Sequence, residues 1–451
     1  MNLLKKIIRK LIYEFRSVFE RNDIEKLFRT FNSKGIVLDE CNAEKIRDKR
    51  LSAIINYSVK NVPYYKNIFA ALKHRKSEIK KNPCGFLRNF PILTREIIMQ
   101  NNSKLKSKIS WLYPCGISKT SGTTGIPLEF ISSSPNGEYS HQMFLYEFMA
   151  GQKIALDKVV SFGGGYLSDE CIKQNIFWQY EKGLYGSCLF SSFYILEKNI
   201  QFYVEKLNEI NPQIIRSYPS SLLLFIDYCK KLNIKPNIDV KGIYLTSENS
   251  TKEQMEKISD FFGCGVYGQY GHSEACIFAF TTKNDTVYYC SPFYGFVEVL
   301  DKDNQPVKIG ETGYVTVSTF RNKAMPFIRY RTGDLAVYGG EKNGYAILRQ
   351  LLGREKDYIL NKDGEKIFII VGQFSECFLP AICHVKYWQA IQNEKGKMLL
   401  KIVRKDSFTQ NNETDILKVT QDNKIETVIE YVDEIPLTKA GKRKYIVNSL
   451  Y

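Results

Sequence analysis

Between residues 197 and 270 the chain switches repeatedly between two kinds of apolar spacing, and this alternation limits the fold more than any other feature of the sequence. Residues 197 to 209 have helical periodicity, IIRSYP (214 to 219) is a short apolar run, SSLLLFIDYCKKL (220 to 232) is helical again, and GIYLTS (242 to 247) is apolar and β-prone. Ser250 and Glu253 form a capping box ahead of Met255, Ile258 and Phe261, and CGVYGQY (264 to 270) is a further strand. Strands that alternate with helices pair in parallel, because each helix carries the chain back across the sheet. Ligands bind such sheets beyond the carboxyl ends of the strands. Polar clusters stand at those ends here: Ser247-Glu248-Asn249 after one strand and Tyr270-Gly271-His272-Ser273-Glu274 after the next.

Further along, GETGYVTVSTF and PFIRYRTGDLAVY, between Gly310 and the residues just past Asp334, read as hairpin strands with glycine turns, a β-rich subdomain. After LLGREKDYI (351 to 359) about a hundred residues of mixed pattern remain, enough for a small domain. No repeat interrupts this order. The expected fold class is therefore α/β: a large N-terminal domain, 1–352, with parallel sheets and a β-rich subdomain, followed by a small mobile α+β domain, 353–451. The hinge falls between Gly353 and Asp357.

The chain has 451 residues, with Lys and Arg outnumbering Asp and Glu by 64 to 48, a formal charge of +16. Such a surface attracts anions, but the excess is spread without basic runs, and no nucleic-acid recognition motif accompanies it. Nucleic acid is accordingly not an expected partner. The 11 cysteines form no CxxC pair, which reads as reduced thiols in a cytoplasmic protein. Cys264, His272, Cys276 and Cys290 lack the close pairing of a zinc site. No apolar run is long enough to span a membrane. Residues 1–21 form an amphipathic basic helix, with Leu3, Leu4, Ile7, Ile8, Leu11, Ile12, Phe15 and Phe19 opposite Lys5, Lys6, Arg9, Lys10 and Arg16. That helix suits peripheral contact with the inner membrane face or docking on the protein's own core, and its sequence leaves both open.

The segment Thr120-Ser121-Gly122-Thr123-Thr124-Gly125-Ile126-Pro127 packs hydroxyls and glycines into one loop that can offer N–H and O–H donors to phosphate oxygens. It lacks Walker spacing, and alone it reads equally as a solvated turn.

The order of five elements is more specific than any one of them: this loop, YGHSE at 270 to 274, RTGD at 331 to 334, GREKD at 353 to 357 and PLTKAGKRK at 436 to 444. In that order they resemble the adenylate-forming superfamily of acyl-CoA synthetases and adenylation domains. The stretch NKAMPFIRYRTGDLA is most similar to the phenylacetate-CoA ligase-like branch that includes CapK-type capsular polysaccharide proteins. The resemblance implies an ATP-dependent, AMP-forming ligase that converts a small carboxylic acid to an acyl adenylate with release of pyrophosphate. The acyl group then passes to coenzyme A or to another thiol or amine, in surface polysaccharide biosynthesis on the CapK analogy.

Roles follow residue by residue from the resemblance. Thr120 and Ser121 to Gly125 would hold the β- and γ-phosphates of ATP, and Ser247, Glu248 and Asn249 would line adenine with Tyr270 stacked on it. Gly271 belongs to the same nucleotide wall. Ser273 would touch the α-phosphate, and Glu274 would ligate Mg²⁺, a hard cation that prefers carboxylate and phosphate oxygens. Asp334 would accept both ribose hydroxyls, as an ionised carboxylate can. Arg354 would also reach the ribose, Lys356 or Asp357 would be the pivot, and Lys442 would be the catalytic lysine, bridging carboxylate and α-phosphate. The acid pocket would draw on residues 138 to 190, with His141 and Gly164 as contacts and His272 as a further one.

The sequence departs from the family pattern at two points. Ile126 and Leu128 stand where many relatives carry a phosphate-binding lysine, and His272 replaces a small or apolar residue. The first departure supports an alternative reading, a non-catalytic or degenerate nucleotide-binding relative that acts as a membrane-associated interaction protein. Retention of Glu274, Asp334, Arg354 and Lys442 argues against it.

Overall fold

The computed structural model describes residues 21–37, 42–72, 76–113, 115–119, 128–133, 139–154, 156–180, 188–354, 358–367, 378, 384–437 and 444–450. The expectations for residues 1–20, Thr120 to Pro127, Lys356, Asp357 and Lys442 lie outside these.

A 12-stranded sheet organises the larger part of the chain. Its strands are β1 (Val159–Gly163), β2 (Trp178–Tyr180), β3 (Cys188–Ser191), β4 (Ile214–Ser217), β5 (Gly242–Thr246) and β6 (Gly265–Gly271). They continue with β7 (Phe278–Phe280), β8 (Tyr288–Cys290), β9 (Gly295–Leu300), β10 (Thr312–Thr319), β11 (Tyr330–Lys342) and β12 (Tyr345–Arg354). The spatial order is β9-β10-β11-β12-β8-β7-β6-β5-β4-β1-β3-β2. From β3 through β1, β4 and β5 to β6 the pairing is parallel, as the alternation predicts. From β6 onward it is antiparallel through β7, β8, β12, β11, β10 and β9. The expected β-rich subdomain is thus continuous with the parallel sheet, because β7 pairs directly with the last parallel strand.

Three helices carry the parallel crossovers: α1 (Ile200–Ile210), α2 (Pro219–Lys231) and α3 (Lys252–Phe262). Their apolar faces supply Tyr203, Leu207, Leu222, Phe225, Ile226, Met255 and Ile258 to a core that includes Val160, Phe162, Ile215, Ile243 and Val266 from the strands. The cap of α3 differs by one residue from the expected Ser250/Glu253 box. Thr251 is the cap, its hydroxyl accepting from Gln254 N at 3.2 Å while Gln254 Oε1 accepts from Thr251 N at 3.0 Å. Either pair satisfies the sequence rule, and only the pair in register with the first helical turn can close both bonds. Gly263 ends the helix at φ 71°, a left-handed conformation that costs glycine little.

Residues 21–30 are helical and dock through Leu27, Phe31 and Asp23. Asp23 is 2% exposed and takes ion pairs from both Arg50 and Arg321.

A separate 4-stranded sheet, in the order β15-β14-β13-β16, consists of β13 (Val385–Gln392), β14 (Lys397–Arg404), β15 (Glu426–Tyr431) and β16 (Ile446–Asn448). With α4 (Gln410–Asp422) it encloses its own core of Ile359, Trp388, Leu400, Ile402 and Ile416. Strand β12 runs through Arg354, so Gly353 and Arg354 are part of the large sheet. No helix among the described residues is long and apolar enough to cross a membrane.

Candidate functional site

Strands β4, β5 and β6 end side by side, and the polar clusters follow at these ends. Tyr270, next to last in β6, donates its hydroxyl to Asp334 Oδ2 at 2.7 Å. Burial and then the Asp334 charge push the Tyr270 phenol well above its ordinary range, so it remains a donor. Asp334 lies in β11, directly across the ladder from Arg354 in β12, whose Nε is 3.7 Å from Asp334 Oδ1. The Asp334 backbone N–H donates to Thr332 Oγ1 at 3.1 Å, which fixes the turn at Gly333, where φ is 83°.

Tyr270 and Asp334 meet although β7, β8 and β12 separate their strands, because the β11–β12 hairpin is long and bent. Its ladder slips register at Leu335/Ala336, Val337/Tyr338 and Tyr338/Glu341, and Gly340 and Gly353 take φ of 93° and 85°. Each irregularity adds local twist and bends the ribbon. The hairpin therefore outreaches the short strands β7 and β8 and returns over the end of β6.

Glu274 sits four residues past Tyr270 and is 7% exposed. Its Oε1 accepts from the Tyr330 hydroxyl at 2.9 Å, and its Oε2 lies 3.1 Å from His272 Nδ1. Burial would raise this carboxyl, but the electrostatic effect of His272 and the hydrogen bonds of His272 and Tyr330 outweigh burial and hold it at about 2. It is an anion at neutral pH. Ala275 follows at φ 53°, and Thr319 Oγ1 donates to its carbonyl at 3.2 Å. Tyr330 is positioned by its buried neighbour Arg329, at φ 53°, whose guanidinium binds the carbonyls of Arg88 and Phe90 and pairs with Glu298.

The hairpin Gly116–Lys119 with Glu129–Ser132 brackets the Thr120 to Pro127 segment. Asn322 ties its base to this wall: its Oδ1 accepts from Ser133 N and Oγ, and its Nδ2 donates to Ile131 O. Asn322 N in turn donates to Thr319 Oγ1, the hydroxyl that holds Ala275. Three successive hydrogen bonds thus link the hairpin base, through Asn322 and Thr319, to Ala275, the residue after Glu274.

The remaining sequence-selected residues are dispersed. Ser247 is exposed at φ 71°. Glu248 accepts from Ser220 N at 3.1 Å and Ser220 Oγ at 3.0 Å, supplying the cap that Tyr218 does not give α2. Asn249 Nδ2 donates to Leu351 O at 3.2 Å, which joins the loop after β5 to the strand that carries Arg354. A Cβ on Gly271 would lie 2.5 Å from Gln269 Nε2 and 3.2 Å from Ile277 O, so a side chain there requires Gln269 to shift. Ser273 and Gly164 are exposed.

His141 is 0% exposed, between the rings of Phe278 and Tyr294, with Nε2 2.7 Å from Ser291 Oγ and Nδ1 3.2 Å from Ser140 Oγ. This environment fits a packed histidine better than a substrate contact. Its pKa is well below the ordinary value, through burial and then the charges of Arg321 and Arg50. Sequence reasoning passed over Tyr330, Thr332, Thr319 and Asn322. Tyr330, Thr332 and Asn322 all lie in the stretch NKAMPFIRYRTGDLA, where a position in or near RTGD was the available signal.

No cluster of three or more metal-ligating side chains occurs among the described residues. The ionised Glu274 oxygens are nevertheless the hard ligand type that Mg²⁺ uses, a metal that takes one or two carboxylates and completes its shell with phosphate and water. The described cysteines are free thiols, with Cys276 and Cys290 buried.

Comparison with solved structures places the chain in the fold class of the adenylate-forming ligases. A 2-hydroxyisobutyryl-CoA ligase in the postadenylation state, in complex with R3-HIB-AMP, aligns over 90% of each chain at 15% identity with a TM-score of 0.68. The GH3.15 acyl acid amido synthetase aligns over 87% of this chain and 86% of its own at 16% identity, with a TM-score of 0.57. Within that class the resemblance is to CapK: residues 360–449 match the CapK C-terminal domain family. Protein CapK of Staphylococcus aureus is 23% identical over 434 residues, 92% of this chain and 91% of that protein. The resemblance drawn from the five ordered motifs is borne out by these matches.

Proposed function

We propose that the protein is an ATP-dependent, AMP-forming ligase: R–COO⁻ and ATP give R–CO–AMP and pyrophosphate, and an acceptor thiol or amine then takes the acyl group and releases AMP and a proton. The observation that carries this reading is the Tyr270–Asp334–Arg354 constellation at the carboxyl end of the parallel strands. A carboxylate held between a phenol and a guanidinium is oriented to accept paired ribose hydroxyls, while the Tyr270 ring offers a face to adenine. Glu274 would supply the carboxylate oxygen for Mg²⁺, which offsets charge on the phosphates. Lys442 would provide the ammonium group between the two reacting anions. In this chemistry positioning and charge neutralisation lower the barrier, and no protein nucleophile is needed.

The names of the similar proteins support acyl transfer to coenzyme A or to an amine as the second step. The CapK similarity supports a place in surface polysaccharide synthesis. We assign the units 1–352 and 353–451 to nucleotide and acid binding and to delivery of Lys442, with Lys356 or Asp357 as pivot, in a cytoplasmic protein. A second reading, a nucleotide-binding relative without turnover, is favoured by one observation: both Glu274 oxygens already have protein partners.

ATP–pyrophosphate exchange over a panel of aryl, fatty, hydroxy and amino acids separates the two. The ligase reading expects exchange with at least one acid and its loss in Lys442→Ala. Nucleotide binding without exchange for any acid would establish the second reading.

A further inference from the structure

Successive side chains of a strand alternate between the two faces of its sheet, and residues paired across parallel strands share a face. In the parallel block, Val160, Phe162, Ile215, Ile243 and Val266 face α1, α2 and α3. The opposite face packs on the helix Tyr139–Ala150, with Tyr146 and Tyr244 edge to face at 5.8 Å and Gly242 making room for Met149. The lower part of this second face is apolar, with Val159, Ile214, Tyr244 and Tyr267 in one core. Toward the carboxyl ends of the strands it turns polar. Register sets Ser161 beside Arg216 and, one row higher, Thr246 beside Gln269. Ser161 is 7% exposed, and its hydroxyl has no hydrogen-bond partner among the described residues. A buried hydroxyl in that state costs stability, and folded chains keep few of them. Arg216, half-buried, brings a charged fork of donors and no acceptor. Gln269 Oε1 accepts from the Thr246 hydroxyl at 2.8 Å, which leaves the amide nitrogen as donor. That nitrogen reaches toward the strand end, to within 2.5 Å of where a Gly271 Cβ would stand. Tyr270, between Gln269 and Gly271, alternates to the other face. A group bound over this cluster therefore lies just across the end of β6 from the Tyr270–Asp334 pair.

We infer that Ser161, Arg216 and Gln269 recognise the far end of the acid, and that this acid carries a second carboxylate there: the substrate class is the short dicarboxylic acids, not aryl or fatty acids. The turnover of such an acid rests on the ligase reading; its binding does not. Three donors converge on one place, so the ligand supplies acceptors, and a guanidinium matches the two oxygens of a carboxylate better than any other group. An aryl or alkyl tail seated there would desolvate the Arg216 charge and the Ser161 hydroxyl and give neither a new partner. The space is also shallow. Tyr244 and Tyr267, 1% and 7% exposed, close the floor at the level of Arg216. From that row to the next is about 7 Å, the span of an acid of about four or five carbons.

Calorimetric titration of the full chain, with and without the non-cleavable analogue α,β-methylene-ATP, tests this without turnover. Malonate, succinate and glutarate are compared with propionate, butyrate and valerate, which have the same lengths and lack the second carboxylate, and with phenylacetate. The best diacid should bind at least about tenfold more tightly than its monoacid and than phenylacetate, the scale of a hydrogen bond to a charged group. Arg216→Met should abolish that preference, and Arg216→Lys, which keeps the charge, should retain part of it. Ser161→Ala should weaken the diacid about fivefold while the melting temperature of the unliganded chain holds or rises, because the hydroxyl removed is unsatisfied. A serine with a purely structural role would give the reverse, a lower melting temperature and unchanged affinity. Melting curves identify any Arg216 variant that unfolds, and Ser161→Ala then decides alone. Equal affinity for diacid and monoacid, no binding of any diacid, or tighter binding of phenylacetate overturns the inference. Pyrophosphate exchange with an apolar acid would in that event leave the ligase reading intact, whereas a diacid that binds as expected in a chain that exchanges with no acid loses the ligase reading alone.

Discussion

Tyr270 holds the Asp334 carboxylate at 2.7 Å although three strands of the sheet lie between them, while Arg354 approaches the same carboxylate from the facing strand. Removing the carboxylate charge by Asp334→Asn should raise the KM for ATP about tenfold or more, the usual scale for a hydrogen bond to a charged group. Tyr270→Phe should cost less, because the ring remains. Exchange kinetics at varied ATP measure both, and equal KM values for Asp334→Asn and wild type would remove Asp334 from nucleotide binding.

Glu274 gives a pH signature. Its carboxyl is held at about 2 against an ordinary 4.5, so the unfolded chain binds this proton more readily. The resulting stabilisation is fully present above pH 4.5 and is lost as pH falls through the folded value near 2. The difference corresponds to roughly 3 kcal/mol. Urea unfolding of the wild type and Glu274→Gln at pH 7 and pH 3 should show a stability gap that narrows on acidification. A gap independent of pH would contradict the pairing with His272.

His141 acts in a higher window. Its folded pKa is depressed well below 6.5, so the unfolded state takes up this proton first and stability falls as pH drops below 6.5. His141→Gln should flatten that slope between pH 6.5 and 5. It should leave the KM for any active acid within about twofold of wild type, since a fully buried side chain touches no substrate. A large KM change would return His141 to the acid pocket.

Glu248 should matter for stability more than for nucleotide. It caps α2 through Ser220, and Glu248→Ala should destabilise the fold by about 1 kcal/mol, the common value of a helix cap. Chemical denaturation tests this. A tenfold rise in the KM for ATP without a change in stability would reverse the assignment.

The parallel block was legible because its helices bury one face each: periodicity located α2, α3 and the strands β4, β5 and β6 to within about a residue or two, and the start of α1 to within three, at 197 against Ile200. The cap of α3 was misplaced because Ser250/Glu253 and Thr251/Gln254 both fit the pattern, and only three-dimensional register distinguishes them. YGHSE was legible as a polar group at a strand end, and RTGD as part of a hairpin with glycine turns. Their meeting was not, because it depends on the bulged path of β11 and β12. Tyr330 and Asn322 were equally hidden, since a single aromatic at the start of a strand and a single amide in a loop carry no period. Glu248 shows the converse: a carboxylate beside a ligand-prone loop that the fold uses for a helix end.

The slipped ladder of the β11–β12 hairpin makes residue count a ruler. Between Gly333 and Gly353 each extra residue on one strand changes how far the ribbon curls, so the height at which Asp334 stands is set covalently, before any ligand arrives. A chain built this way tolerates many side-chain exchanges along that ribbon. It tolerates poorly an insertion or deletion there, which would rotate Asp334 away from Tyr270.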